Sequence, residues 1–258
     1  MSAPAPALAP DLLSALRRLK LRRIRELAPE VLQTAKTQRW APEELLRTLV
    51  EAEIAARDEA NQANRLRAAG FPVSKTLEEF SLVETSVPKA TYDYLCSLEW
   101  VRAPENLCLV GPAGTGKSHL LVALGHAAVA SGHRVRYLVA ADLIETLYRG
   151  IADNTVGKVI TALLRNDLVI VDEIGFVPLD DRGTQLLFRF ISAAYERRSL
   201  GIASHWPFDQ WGRFLPEHAT AVSLLDRLLH HATVVVTKGE SYRMKEARAR
   251  GGTRKKAG

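Results

Sequence analysis

From about residue 100 onward, short unbroken apolar runs alternate with longer stretches in which apolar side chains recur every three or four positions. Asn106–Val110, Arg134–Val139, Asp167–Val171, Gly201–Ser204 and Thr233–Val236 are compact runs of the kind that form strands buried on both faces. The stretches between them read as helices: His119–Ala130, stopping at Ser131-Gly132; Asp142–Arg149; Val156–Arg165; a helix carrying Leu186, Leu187, Phe190 and Ile191, capped by Asp180 or Asp181; and Val222–His231. Strand, helix, strand in this order predicts an α/β fold, a parallel sheet flanked by helices.

The first seventy residues carry only the helical period. The spacing predicts one helix over Asp11–Ala28, a short one after Pro29, and a long one entered through Pro42 and ended by Gly70-Phe71-Pro72. On the first helix Leu12, Leu13, Leu16, Ile24 and Leu27 share one side, and Arg18, Arg22 and Arg25 the other. That second side is either an ordinary solvated face or a phosphate-binding one. Six cations and no acid within Arg17–Arg25 favour phosphate contact. The long helix has mixed signs, including Glu43, Glu51, Glu53 and Arg57, as a solvated or protein-contacting face has. A connecting stretch with one helix over Pro88–Leu98 follows. The organisation expected is a flexible tail over 1–10, a small all-helical domain over 11–69, an α/β domain over 70–245 and a basic flexible tail over 246–258.

Between the first strand and the helix that follows stands Gly111-Pro112-Ala113-Gly114-Thr115-Gly116-Lys117-Ser118, a complete P-loop in the strand, loop, helix context that it requires. Its glycines let successive backbone N–H groups turn toward phosphate oxygens, Lys117 reaches the β/γ-phosphates, and the Ser118 hydroxyl is available to Mg²⁺. The strand Leu168–Val171 runs into two carboxylates, Asp172 and Glu173. At the carboxyl end of a parallel strand they open toward the same crevice, Asp172 as a partner for Mg²⁺ and Glu173 as the group that orients or deprotonates an attacking water. A further strand end delivers Ser204 and His205, either of which could touch the γ-phosphate or the water. Arg227 and Arg243 are surface charges or, given the planar five-donor fork of arginine, groups for a developing phosphoryl charge.

Composition narrows the field. In 258 residues, 35 Lys+Arg stand against 29 Asp+Glu, a formal net charge of +6, which suits an anionic partner without requiring one. Two cysteines are too few for a disulfide framework, no metal cluster is readable, and no run approaches the 18 apolar residues of a membrane span, so a soluble cytoplasmic protein is expected.

The chain resembles the IstB-type helper ATPases of bacterial insertion elements, relatives of the DnaC helicase loaders in the AAA+ class. The resemblance is carried by the arginine-rich first helix, Lys75-Thr76-Leu77-Glu78-Glu79-Phe80, the P-loop, Val171-Asp172-Glu173, Tyr195-Glu196-Arg197-Arg198-Ser199, Trp206-Pro207-Phe208, Asp226 to Ala232 and Gly239 to Lys245. It implies an AAA+ ATPase domain, ATP and Mg²⁺ as ligands, a homo-oligomer, double-stranded DNA and a cognate transposase as partners. It also implies that Arg227 takes the arginine-finger position and Arg243 the position called sensor 2. His205 departs from the family, in which an asparagine is expected at the first sensor. A replicative helicase loader, a metabolite kinase and a nucleotide-gated scaffold are the competing functions.

Overall fold

The computed structural model describes residues 7–242, 244 and 248, which form two compact units parting between Asn64 and Arg65. The first unit is helical: α1 (Pro10–Arg18), α2 (Arg22–Gln38) and most of α3 (Pro42–Ala69). The single helix expected over Asp11–Ala28 is therefore two, broken where Lys20 takes a left-handed conformation (φ 58°). The cause lies thirty residues away. Glu53 on α3 accepts hydrogen bonds from the backbone N–H groups of Arg23 (2.8 Å) and Ile24 (3.0 Å), so its carboxylate caps the start of α2. Arg57 holds the same carboxylate and donates to the Lys20 carbonyl inside the break. Glu53 is 6% exposed, a structural group and not the solvated one its mixed-sign surroundings suggest. Pro29, expected to start a new helix, lies inside α2, where Ala28 and Ala35 remain on one buried stripe and packing offsets the lost hydrogen bond. Arg18 thus belongs to α1, whereas Arg22 and Arg25 belong to α2, and Arg22 pairs with Glu26, so the predicted basic face is not one helical face.

The second unit continues through a 3₁₀ turn (Leu82–Glu84), α4 (Lys89–Ser97) and α5 (Glu99–Arg102) into β1 (Asn106–Val110), α6 (Lys117–Ala130), β2 (Val135–Val139), α7 (Ala140–Ala152), α8 (Val156–Leu163), β3 (Leu168–Ile174), α9 (Asp181–Ala194), β4 (Ser199–Ser204), a second 3₁₀ turn (Phe208–Arg213), α10 (His218–Leu229) and β5 (Ala232–Val236). The five strands form one parallel sheet in the order β2-β3-β4-β1-β5. Alternation along the strands divides the core. Cys108, Val169, Val171 and Ile202 pack against α7, α9 and α10, while Leu107, Leu109, Ile170 and Ala203 pack against α6 on the opposite face. Asp180 is the cap of α9, accepting from Gly183 N at 2.7 Å.

Burial raises the Glu53 pKa, but hydrogen bonds from Ile24 N, Arg57 and Arg23 N outweigh it and hold the carboxyl below its ordinary value. A lowered folded-state pKa means stabilisation that is full above the unfolded value, about 4.3, and lost as pH falls through the folded one. Glu53→Ala should destabilise the helical unit by about 1–3 kcal/mol at neutral pH, and the difference from wild type in denaturant titrations should shrink below about pH 4.

Candidate functional site

The site is built where β1, β3, β4 and β5 end side by side. Chain leaving β1 turns at Gly111 (φ 143°), whose N–H donates to the Ser204 carbonyl at 3.1 Å. A Cβ on Gly111 would lie 2.1 Å from the Thr237 carbonyl oxygen, so only glycine lets the loop pass the end of β5. Thr237 also bridges to Thr115, hydroxyl to hydroxyl, at 2.7 Å, and Tyr242 N donates to the Gly114 carbonyl at 3.0 Å. Gly116 (φ 89°) is the residue before α6, so the first turn of α6 opens directly from the loop. Lys117 is 8% exposed, and its ammonium donates to the carbonyls of Gly111 and Pro112, both at 2.6 Å.

A cleft of about 680 Å³ brings Ala113 to Ser118, Asp172, Glu173 and His205 together. The two carboxylates of β3 differ sharply in environment. Asp172 is 2% exposed, accepting from the Tyr137 hydroxyl on Oδ2 (2.9 Å) and from Glu173 N on Oδ1 (2.8 Å). Glu173 is exposed, in a left-handed conformation (φ 60°) at the point where the β3–β4 register shifts between Val171 and Ile174. That irregularity turns its side chain out of the sheet's alternation. Burial, reinforced by the Asp172 charge, pushes the Tyr137 phenol far above its ordinary pKa, so it stays protonated and remains a donor to Asp172.

His205 lies beside these groups, its ring edge-on to Phe176 (5.1 Å between centroids) and 4.7 Å from Trp206. Its Nδ1 is buried without a hydrogen-bond partner among the described residues, and burial, then the charge of Lys117, lowers its pKa, which favours the neutral imidazole. Ser204 is not available to a phosphate: its hydroxyl donates to the Ile174 carbonyl (2.9 Å) and accepts from Trp206 N (3.1 Å), tying β4 to β3 below the cleft. Arg227 lies outside the cleft, on α10, with its guanidinium on the Ser223 carbonyl and 4.8 Å over the Phe188 ring. Arg243 falls outside the described residues.

Tyr137 and Thr237 have no place in the sequence motifs. Tyr137 was detectable once β2 is laid parallel to β3: Val139 pairs with Asp172, which puts Tyr137 two residues back on the same face. Thr237 carries no comparable signal, being one polar residue after a strand.

Residues 14–250 match the profile of the family described as IstB-like ATP binding protein. The chain belongs to that family. A relative from Pseudomonas aeruginosa, named as an ATP-binding protein of insertion sequence IS21, is 35% identical over 237 residues, covering 92% of this chain and 89% of its own length. One from Sinorhizobium fredii, likewise named for an insertion sequence and ATP binding, is 34% identical and covers 89% and 78%. Among solved structures, AMPPCP-bound DnaA from Aquifex aeolicus superposes with a TM-score of 0.53 at 21% identity, over 70% of this chain and 56% of that one, and DnaI with 0.51 at 16%, over 64% and 91%. These likenesses are of fold, the AAA+ P-loop fold. By family this IstB-like chain is an ATPase. No helix among the described residues is long and apolar enough to cross a membrane.

The Gly111 contact gives a direct test of the cradle. Gly111→Ala forces a side chain into both a disfavoured φ and the Thr237 carbonyl, a strain of order 1–3 kcal/mol, so affinity for a fluorescent ATP analogue should fall by about 10- to 100-fold while far-UV circular dichroism stays that of the wild type.

Proposed function

We propose that this protein is an ATP-driven, DNA-binding oligomer that assists the transposase of an insertion element. The reading is carried by one observation, the pinned Asp172 and the exposed Glu173 sharing a cleft with Lys117 and the start of α6. It is supported by family membership, by relatives named for insertion sequences, and by a basic region in which Arg17, Arg18, Lys20, Arg22 and Arg23 are exposed. Duplex DNA is the partner this charge suits, read through backbone phosphates. Such a partner puts the protein's work in the cytoplasm.

In this mechanism the loop from Gly111 to Ser118 wraps the phosphates of ATP with backbone N–H groups, and Lys117 exchanges its two carbonyl contacts for phosphate oxygens. The hydroxyl of Ser118 and the carboxylate of Asp172 are hard oxygen donors that fit Mg²⁺, and each Asp172 oxygen, accepting one hydrogen bond, keeps capacity for another contact. When bound, the ion neutralises phosphate charge. Tyr137 holds Asp172 in orientation. Glu173 takes the proton of the water that attacks the γ-phosphorus, with ADP as leaving group, and His205, as a neutral imidazole, hydrogen-bonds the γ-phosphate or that water. Arg227, outside its own subunit's cleft, serves the neighbouring subunit's nucleotide, and Arg243 takes the sensor 2 position that the family resemblance implies.

Glu173→Gln keeps the shape of the side chain and removes the base. The variant should retain ATP and duplex DNA, measured by fluorescence anisotropy, and hydrolyse about 10²–10⁴-fold more slowly; undiminished turnover moves the base elsewhere. The shared site is tested by mixing. Arg227→Ala and Lys117→Ala should each be nearly inactive, Arg227→Ala by about 10³–10⁵-fold with ATP binding intact, and the co-assembled mixture should recover part of the rate. Normal hydrolysis by Arg227→Ala alone would return Arg227 to a surface charge.

A further inference from the structure

Two segments that the ATP site does not use meet at the opposite end of the sheet. Tyr195 and Glu196 lie between α9 and β4, and His230 and His231 between α10 and β5. One ligand atom from each of Glu196, His230 and His231 lies within 4.8 Å of the other two, and all three side chains are open to solvent. His231 Nε2 is 3.6 Å from Glu196 Oε1, and the two imidazoles lie 4.0 Å apart between centroids.

Three further features distinguish this group from a chance surface cluster. Tyr195 Oη is hydrogen-bonded to His230 Nδ1 at 2.8 Å, which fixes the ring and leaves Nε2 for another partner, as the outer-sphere partner of a metal-bound histidine does. Glu196 is held in a left-handed conformation (φ 57°) unusual for a residue with a side chain. The backbones that present the ligands are tied together by Asn106, whose N–H donates to the His231 carbonyl (2.8 Å), whose side-chain amide donates to Leu228 O (2.9 Å), and whose side-chain oxygen accepts from Leu200 N (3.0 Å).

We propose that Glu196, His230 and His231 form a binding site for a divalent transition-metal ion of the zinc type. Two imidazoles and one carboxylate are a recognised set for such ions, and the exposed side leaves a position for water. Ligands on two connections make the bound ion a clip, joining the α9–β4 turn to the α10–β5 connection, where His230 lies three residues beyond Arg227. The site stands on this geometry alone and is independent of the reading of the ATP cleft.

The test uses the full chain and two probes. Cobalt(II) titration should give saturable, one-to-one binding with ligand-field bands in the visible range, and Zn²⁺ should displace the cobalt and raise the unfolding temperature. His231→Ala and Glu196→Ala should abolish both effects while leaving far-UV circular dichroism and ATP binding unchanged, which separates loss of the site from loss of the fold. Tyr195→Phe is the sharper variant: it removes no ligand side chain, yet should weaken binding by about 10- to 100-fold through the loss of His230's orienting partner. Absence of saturable cobalt binding, or His231→Ala binding like wild type, overturns the site. Unchanged affinity in Tyr195→Phe overturns the built arrangement and leaves only adventitious surface histidines.

Discussion

The nucleotide cradle depends on how closely the backbone at Gly111 passes the end of β5. Thr237 donates its N–H to the Val110 carbonyl (2.7 Å), presents its carbonyl to Gly111 and joins its hydroxyl to Thr115, so the loop is held against the end of β5. A backbone fixed in this way can aim its N–H groups before any ligand arrives, which is what makes a turn of glycines a binding site. Lys117, buried at the start of α6, needs its ammonium satisfied, and the carbonyls of Gly111 and Pro112 satisfy it.

The two adjacent acids show how local backbone geometry gives one residue type two kinds of chemistry. Asp172 continues the strand's alternation, is buried, and has both oxygens engaged by donors. Glu173 sits at the register shift, with positive φ, and is exposed. A fixed carboxylate suits a fixed cation, whereas a carboxylate reaching into the cleft suits proton transfer to and from water. The difference comes from one irregularity in the ladder, not from composition.

Elements whose causes are local were legible in the sequence. All five strands were evident as apolar runs, α6 and α9 follow from period and stop signals, and the P-loop sits between β1 and α6 as its spacing requires. What escaped depends on contacts between distant residues. Nothing within Asp11–Ala28 reveals that Glu53 will cap α2 and break the helix at Lys20. Ser204 reads as a free hydroxyl until the Ile174 carbonyl is seen to occupy it, and Tyr137 needs the β2–β3 register before it meets Asp172. In each case the missing information was a partner remote in the chain.

The strand order also governs when the molecule can be completed. β1 is the first strand made, yet its neighbours in the sheet are β4 and β5, the last two. During synthesis β1 therefore waits, without an edge to pair with, until Ser199–Ser204 and then Ala232–Val236 have emerged, while β2 and β3 are already able to join. Closing such long chain segments is slow, and an apolar strand exposed for that interval is open to wrong pairing. The cradle is thus completed only when β5 arrives, and a nascent chain cut short before β5 has a complete P-loop motif without the Thr237 contacts that brace it.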